Sequence, residues 1–218
     1  MEIKVLESQN SIFNQFMYEL REIDIQKDSM RFRYNMQRIG SIMAYEISKT
    51  LPYENRNTQT SLGTKDVPVL STQPVLATIL RAGLPLHQGM LDFFDKAENA
   101  FISAYRAYEN DGSFSIEFNH ISTPDLSNKV VILSDPMLAT GASMLLSYNA
   151  LLKNGEPNHV HIATIIASKE GVEYLKGHMK KTNVTLWIGT VDDELTSKSY
   201  IVPGLGDAGD LAFGSKNK

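Results

Sequence analysis

The stretch from Val130 to Ser143, which reads VVILSDPMLATGAS, constrains the fold of this chain more than any other. An apolar run ends at Leu133 and is followed by polar and small residues, after which apolar residues recur at helical spacing. This order predicts a strand, a tight loop and a helix. Unpaired N–H groups at the start of such a helix attract phosphate, and Asp135 adds an acceptor for sugar hydroxyls or metal-bound water.

The predicted loop differs from two common nucleotide-binding loops. It lacks the G-x-G-x-x-G spacing of dinucleotide-binding proteins, and no Gly-Lys-Ser/Thr follows as in a Walker loop. The motif also fits an ordinary turn between strand and helix, with Asp135 and Thr140 as capping residues and Gly141 easing the bend. Both interpretations, a phosphate loop and a plain turn, stay open on this stretch alone.

A second informative stretch lies near the C-terminus, where residues 200–210 read YIVPGLGDAGD. Its three glycines, one proline and two aspartates predict a loop rather than a regular helix or strand. A disordered tail is the general alternative for such a composition. The neighbouring apolar residues, Ile201, Val202, Leu205, Leu211 and Phe213, favour a loop that docks on the rest of the protein.

The composition limits the class of protein. The 218 residues suffice for one domain with a sizeable core, and a formal net charge of −4 argues against a general nucleic-acid surface. Because the chain has no cysteine, disulfides and thiolate metal sites are excluded. No apolar stretch is long enough to span a bilayer, and the N-terminus lacks the layout of a signal peptide. We therefore expect a cytoplasmic protein.

Alternation of helical and strand patterns along the chain predicts a parallel α/β sheet. The region from about Ser11 to Thr50 is predicted to be helical, with Ser29 as an N-cap. Residues 74–80 form an apolar run typical of a buried parallel strand. The other predicted elements are a hairpin with its turn at 63–66, helices at 85–94 and 169–180, and strands at 99–108, 113–119, 159–167 and 184–190, with a turn at Asn110-Asp111-Gly112.

Several charged side chains are candidates for ligand contacts. Arg81 directly follows the buried strand, where a guanidinium could clamp phosphate oxygens or simply mark a surface strand end. His159 and His161 alternate on one strand face, and ordinary strand side chains are favoured over metal ligands because no third ligand is near. A solvated helix face is likewise favoured over anion binding for the arginines of the first helical region, Arg21, Arg31, Arg33 and Arg38.

Three motifs together resemble the uracil phosphoribosyltransferases, a branch of the type I phosphoribosyltransferases. They are Asp-Pro-Met-Leu-Ala-Thr-Gly from Asp135, Ile-Leu-Arg-Ala-Gly-Leu at 79–84, and Pro-Gly-Leu-Gly-Asp-Ala-Gly-Asp at 203–210. The resemblance implies one α/β domain over 1–218, with a central, mainly parallel sheet flanked by helices. It also implies a hood formed by the N- and C-terminal segments and a mobile β-arm at about 105–120.

The resemblance further implies the reaction of uracil with phosphoribosyl diphosphate (PRPP), which gives UMP and diphosphate in pyrimidine salvage. Mg²⁺ would be the cofactor, GTP a candidate effector, and a homodimer or higher homo-oligomer the assembly. The loop at 134–143 would bind PRPP and the loop at 200–210 would bind uracil. Carried over residue by residue, the PRPP contacts are Arg81, Arg106, Asp135, Pro136, Met137, Leu138, Ala139, Thr140, Gly141, Ala142, Ser143 and Asp207. The uracil contacts are Ile201, Gly206, Asp207 and Ala208, the catalytic residues are Asp135, Asp207 and Arg106, and Asp207 reaches the metal through water.

The chain departs from the family pattern at a few positions. Ala142 replaces the second glycine of Thr-Gly-Gly-Ser, and we expect it to lie in the first helical turn, where alanine is tolerated. The residues after Arg106 differ from the usual arm sequence, and the resemblance suggests a cis peptide bond after Arg81. One alternative is an RNA-binding attenuation regulator of the same fold, which usually has paired acids where this chain has Asp135 and Pro136. A catalytically silent homologue is a further alternative.

Overall fold

The structure is a computed structural model that describes residues 1–108, 114–180 and 183–215, without the side chains of 104–108 and 114–119. Its six α-helices in these ranges are α1 (Ile12–Arg21), α2 (Ser29–Ser48), α3 (Leu84–Leu91), α4 (Ala142–Leu151), α5 (Lys169–His178) and α6 (Ala208–Phe213). The strands are β1 (Glu2–Val5), β2 (Tyr53–Gln59), β3 (Thr64–Leu70), β4 (Val75–Leu80), β5 (Asn99–Tyr108), β6 (Phe114–Ser122), β7 (Val130–Ser134), β8 (Met137–Leu138), β9 (His159–Ser168), β10 (Val184–Asp192), β11 (Glu194–Leu195) and β12 (Ile201–Val202).

The central sheet contains eight strands in the order β1-β10-β9-β7-β4-β5-β6, with the short β8 also paired to β9. Every pairing is parallel except that of β5 with β6. The strands β4, β7, β9 and β10 are buried and read as nearly continuous apolar runs, as expected for a sheet covered on both faces. The predicted mainly parallel sheet is therefore confirmed.

Two apolar cores lie on the two faces of this sheet. One core joins side chains of α1, α2, α3 and α6 and includes Phe13, Met36 and Leu86. The other joins side chains of α4 and α5 and includes Met144 and Leu175. Helices on both faces are the doubly wound arrangement of α/β proteins, and each fully buried large apolar side chain contributes roughly 1.5–3 kcal/mol.

The N-terminal helical region differs from the prediction at one cap. It forms the helices α1 and α2, and the N-cap of α2 is Asp28 rather than Ser29, which is the first residue of the helix. One carboxylate oxygen of Asp28 accepts from the N–H groups of Met30 and Arg31 at 3.0 and 3.1 Å. A carboxylate at this position reaches the free N–H groups, so the serine is not needed as a cap.

Other boundaries also shift. The hairpin of β2 and β3 is confirmed, but it turns at Thr60–Gly63, where the Thr60 N–H donates to the Gly63 carbonyl at 2.7 Å. Helix α3 ends at Leu91 instead of residue 94, and α5 ends at His178 instead of residue 180. The predicted turn at Asn110-Asp111-Gly112 lies outside the described residues. Among the helices that are described, none is long and apolar enough to cross a membrane.

Helices α2 and α3 cross at two glycines. A Cβ atom on Gly40 would lie 2.2 Å from the carbonyl oxygen of Leu86, and one on Gly89 would lie 1.8 Å from that of Gln37. The Ser41 hydroxyl donates to the Gly89 carbonyl at 3.1 Å across the same crossing. The backbones of the two helices are thus in contact, and no side chain larger than hydrogen fits between them.

Candidate active site

The connections that leave β4 and β7 run in opposite directions across the sheet. From β4 the chain proceeds through α3 to β5 on one side, whereas from β7 it proceeds through α4 to β9 on the other. In open α/β sheets, ligands bind in the crevice at the carboxyl ends of the strands where such a reversal occurs. Arg81 follows β4 and Asp135 follows β7, and β4 and β7 are hydrogen-bonded neighbours. The topology thus brings these two predicted site residues to one crevice.

The loop between β7 and α4 is held by main-chain contacts to β9 and by α5. The Asp135 N–H donates to the Ala163 carbonyl at 3.1 Å, and the Pro136 carbonyl accepts from the N–H groups of Ile165 and Ile166. The Ser168 hydroxyl donates to the carbonyl of Ala139 at 2.6 Å. The loop is therefore fixed by its neighbours before any ligand arrives.

Gly141 ends this loop in a left-handed conformation, with φ of +84°, as the N-cap of α4. A Cβ atom there would lie 2.9 Å from the Tyr174 ring and 3.1 Å from the Gly171 carbonyl oxygen, so both conformation and space require glycine. Ala142 is the first residue of α4, as expected from the sequence. Its N–H donates to Thr140 Oγ1 over a long 3.4 Å, and the N-cap Gly141 has no side chain that could cap the helix. The start of α4 is thus open to a ligand from the crevice.

Asp135 occupies an unusual electrostatic environment at the end of β7. Burial raises the pKa of its carboxyl to about 7, and the N–H of Met137, which donates to Oδ1 at 3.3 Å, acts in the opposite direction. The residue as a whole is partly accessible to solvent. A carboxyl that titrates near neutral pH at the mouth of a crevice is a common feature of functional sites.

Arg81 extends from the turn after β4 toward the C-terminal segment. Its Nη2 atom lies 3.3 Å from Asp210 Oδ1 and 3.3 Å from the Gly214 carbonyl oxygen, while its buried Nε has no partner among the described residues. The turn packs tightly, because a Cβ on Gly83 would lie 2.1 Å from Thr78 Oγ1. A cis peptide bond joins Leu80 and Arg81, so the expected cis bond after Arg81 is one residue earlier.

The C-terminal loop is docked, and the disordered-tail alternative is wrong. Ile201 and Leu205 are buried in the core that includes α2, and β12 pairs with β11. Gly204 and Gly206 have φ of +65° and +91°, conformations that the glycine-rich sequence supplies. Asp207 caps α6 by accepting from the Asp210 N–H at 3.0 Å.

The N- and C-terminal segments meet above the sheet, as the expected hood requires. Arg33 of α2 donates to the Ala212 carbonyl of α6 at 2.6 Å and lies over the Phe213 ring. Among the arginines of the first helical region, the expected solvated face is wrong for Arg21, because Arg21 forms an ion pair with Asp192 at 2.7 Å. The side chain of Arg106 lies outside the described residues.

The two histidines of β9 bind each other and their neighbours. Their ring centroids are 4.5 Å apart, the Trp187 indole donates to His161 Nδ1 at 3.1 Å, and His159 Nε2 lies 3.0 Å from Thr185 Oγ1. Burial, with the nearby charges of His159 and Lys4, lowers the pKa of His161 to about 3. No cluster of three metal-ligating side chains occurs in the part of the chain that the structure describes.

Comparison with solved structures defines the class of the fold. A protein of Aquifex aeolicus superposes with a TM-score of 0.85 over 96% of this chain and 98% of that one, at 28% identity. A hypoxanthine phosphoribosyltransferase of Staphylococcus aureus reaches a TM-score of 0.50 at 12% identity, over 86% of this chain and 84% of that one, and this likeness concerns the fold alone. The fold is that of the type I phosphoribosyltransferases, as the sequence motifs predicted.

Sequence comparison then gives the family. The uracil phosphoribosyltransferase family model matches residues 7–215. Uracil phosphoribosyltransferase of Porphyromonas gingivalis is 52% identical over 99% of this chain and 100% of that protein. The namesake enzymes of Methanococcus maripaludis and Pyrococcus furiosus are 37% and 35% identical over 89% and 94% of this chain, and over 84% and 87% of their own lengths. The chain belongs to the uracil phosphoribosyltransferase family and is an enzyme of the glycosyltransferase class, and the RNA-binding alternative is not favoured.

Proposed function

We propose that this chain transfers the phosphoribosyl group of PRPP to uracil and releases diphosphate. The observation that carries the proposal is the contact of Arg81 with Asp210, because it joins the turn after β4 to the helix after the C-terminal loop. The loop at 134–143 begins at the same edge of the sheet. In this proposal the anion-binding and base-binding segments would border one crevice.

In this proposal the 5′-phosphate of PRPP lies at the start of α4. Main-chain N–H groups of the first turn and the hydroxyls of Thr140 and Ser143 would donate to it, with the helix dipole adding roughly 0.3–1 kcal/mol. The fixed backbone from Pro136 to Ala142 would shape the pocket around the phosphate. Asp135, in its ionised form, would accept hydrogen bonds from the ribose 2′- and 3′-hydroxyls.

The diphosphate would be held by the two arginines of the predicted site. Arg81 offers guanidinium donors that its present partners at 3.3 Å bind only loosely, and Arg106 would approach from the arm by analogy with the family. Such contacts would stabilise the negative charge that develops as diphosphate leaves.

The residues present fit a magnesium ion carried mainly by the substrate. Mg²⁺ is usually bound by one or two carboxylates with phosphates and water rather than by a protein cage, which agrees with the lack of a three-ligand cluster among the described residues. Asp207, which is partly accessible, would orient a metal-bound water. When bound, Mg²⁺ would supply neutralisation of the diphosphate charge.

The bond changes in this reaction need little covalent help from the protein. The bond between C1′ and the diphosphate oxygen breaks, a bond from C1′ to uracil N1 forms, and the N1 proton is released to solvent. A transition state with oxocarbenium character would be stabilised by alignment of the two substrates and by fixed charges. Asp135, Asp207 and Arg106 are the proposed catalytic residues in this sense.

We assign the choice of base to the main chain of the C-terminal loop. Uracil offers N3–H as donor and O2 and O4 as acceptors, and cytosine reverses the polarity at positions 3 and 4. Main-chain groups of Ile201, Gly206 and Ala208, held by a docked loop, cannot reverse with it. Each unsatisfied buried group costs roughly 1–3 kcal/mol, so cytosine should be strongly rejected.

Formation of labelled UMP from labelled uracil, PRPP and Mg²⁺ tests the proposal, with cytosine, orotate and hypoxanthine as controls. We expect turnover with uracil and none with the three control bases. Absence of UMP at every substrate concentration would overturn the proposal. Filter binding with pyrimidine-operon leader RNA tests the regulator alternative.

We also propose the remaining properties that the family resemblance implies. They are one domain over 1–218, a role in pyrimidine salvage, a cytoplasmic location and a homodimer or higher homo-oligomer. GTP is a candidate effector, and adding GTP to the same assay would measure its effect.

A further inference from the structure

The C-terminal loop is tied to the rest of the protein by an ion pair whose members are far apart in sequence. Arg21, the last residue of α1, donates from Nη1 to Asp192 Oδ2 at 2.8 Å and from Nη2 to Asp192 Oδ1 at 2.7 Å. The side chains are 26% and 7% exposed, so solvent screens this pair far less than a surface pair. Two parallel hydrogen bonds fix both the distance and the orientation of the groups.

The same two side chains hold both polar main-chain groups of Gly204. The Gly204 N–H donates to Asp192 Oδ2 at 2.8 Å, and Arg21 Nη1 donates to the Gly204 carbonyl at 3.0 Å. Burial by itself would raise the pKa of Asp192, but the hydrogen bonds from Arg21 and Gly204 hold it below its usual value. Asp192 is therefore ionised at neutral pH. We call the arrangement in which Arg21 and Asp192 hold Gly204 the clamp, and all of its hydrogen bonds can form at that pH.

Gly204 lies between the main-chain groups assigned to uracil. It follows Ile201 by three residues and precedes Gly206 by two. Its conformation is demanding, with φ of +65°, and a Cβ there would lie 2.1 Å from the Ile201 carbonyl oxygen. A shift at Gly204 would thus move the loop on both sides of the clamp.

Further hydrogen bonds connect Arg21 of the clamp to β10 and to the N-terminal segment. Arg21 Nη2 lies 3.4 Å from Thr190 Oγ1, and the Thr190 hydroxyl is hydrogen-bonded to Glu7. Glu7 also accepts from the Val191 N–H at 3.1 Å. The network therefore connects the N-terminal segment, the end of β10 and the C-terminal loop, and such connected networks resist displacement more than single bonds do.

We propose that Arg21 and Asp192 are positioning residues for uracil, which set the main-chain geometry that recognises the base without touching it. The inference rests on the proposed function. Hydrogen bonds weaken steeply when donor and acceptor are misaligned, so a loosened Gly204 would weaken the bonds to N3–H, O2 and O4 together. PRPP would be affected less than uracil, because most of its assigned contacts lie in the loop at 134–143, which is held separately by β9 and α5.

The test compares Asp192→Asn with Asp193→Asn in the full chain. Asp193 is the adjacent carboxylate, but it pairs at the surface with Lys169, where the side chains are 73% and 68% exposed. For Asp192→Asn we expect the KM for uracil to rise at least about tenfold, a change of about 1.4 kcal/mol. The KM for PRPP should stay within about twofold of wild type, and the preference for uracil over cytosine should fall. Asp193→Asn should match wild type in all three.

A second variant guards against a folding defect, because loss of Asp192 leaves Arg21 without its buried partner. Arg21→Lys keeps the positive charge but cannot bind Asp192 and Gly204 in the same two-pronged way, and we expect the same rise in the KM for uracil. Hydrogen exchange of residues 201–207, measured without substrates, should be faster in both variants. An unchanged KM for uracil with unchanged exchange would overturn the clamp while wild-type turnover still supports the proposed function. Inactive wild type would instead overturn the proposed function, and unchanged exchange in the variants would then reject the clamp independently.

Discussion

Arg81 Nη2 lies 3.3 Å from Asp210 Oδ1, so a turn near the middle of the chain contacts the helix that ends the described C-terminal segment. The two side chains are 37% and 40% exposed, and an ion pair of this kind contributes only about 0–1 kcal/mol to stability. A contact so weak is easily exchanged for a stronger anion. The weak pair therefore fits the proposal that the Arg81 guanidinium binds diphosphate beside the loop assigned to the base.

Replacement of Arg81 tests its proposed role. For Arg81→Lys we expect the KM for PRPP to rise about tenfold or more, because lysine cannot bind two phosphate oxygens in a fork. The free energy of unfolding should fall by no more than about 1 kcal/mol. Steady-state kinetics and urea unfolding measure the two effects. Arg31→Lys, at a surface pair with Glu19, is the matched control, and an unaltered KM for PRPP in Arg81→Lys would remove Arg81 from the site.

Asp135→Asn should reduce turnover while leaving the protein folded. A hydrogen bond to a charged group contributes about 1.5–3 kcal/mol, so we expect kcat/KM for PRPP to fall by roughly ten- to a hundredfold. Asp24→Asn, which removes an 83% exposed carboxylate, should have no such effect. Near-normal turnover of Asp135→Asn would contradict the role of Asp135 as acceptor for the ribose hydroxyls.

The pH dependence of stability should also report on Asp135. Burial raises the pKa of its carboxyl to about 7, so the folded state favours the protonated form. The stability that this preference contributes is full below the unfolded pKa of about 3.9 and is lost as the pH rises through the folded value. Asp135→Asn should therefore match wild type in Tm near pH 4 and exceed it near pH 8. A Tm difference that does not change with pH would show that the carboxyl is not perturbed in this way.

Two neighbouring substitutions separate conformation from chemistry at the start of α4. Gly141→Ala should lower the free energy of unfolding by at least about 1 kcal/mol and raise the KM for PRPP, because its φ of +84° is unfavourable for alanine and Tyr174 lies in the way. Ala142→Gly should cost less than about 1 kcal/mol and leave the KM for PRPP unchanged, because Ala142 is an ordinary helical residue. Thermal unfolding and kinetics of both variants provide the comparison. Equal effects at the two positions would disagree with this geometry.

Asp207 combines a structural and a proposed metal-orienting role, and two variants separate them. Asp207→Asn keeps an N-cap for α6, whereas Asp207→Ala loses about 0.5–2 kcal/mol of stability with the cap. Both variants should require more Mg²⁺ for half-maximal turnover, because both lack the carboxylate. Magnesium titrations at saturating substrates measure this requirement. A normal magnesium requirement in Asp207→Asn would limit Asp207 to capping.

The fold was predictable from the sequence where local pattern and packing agree. The apolar runs of β4, β7, β9 and β10 mark buried parallel strands, and the small residues at Thr140–Ser143 mark the junction between the loop and α4, which begins at Ala142. The cap of α2 was misassigned because Asp28 and Ser29 are both good capping residues and local sequence does not choose between them.

The ion pair of Arg21 with Asp192 could not be found in this way, because its members are 171 residues apart in sequence. Arginine at the end of an amphipathic helix usually faces solvent, and nothing local marks Asp192 as its partner. The expected cis bond was misplaced by one residue for a related reason, since the motif carries the bond only by analogy. Proximity that depends on the folded sheet is visible only in three dimensions.

The glycine contact between α2 and α3 carries a consequence for the evolution of this chain. Helix α3 begins directly after the turn that carries Arg81, so a shift of α3 against α2 would also displace that turn. Enlarging Gly40 or Gly89 by one methyl group would place a Cβ atom against a main-chain oxygen of the other helix and force the helices apart. We therefore expect selection to retain glycine at these two positions, although neither carries a reactive group.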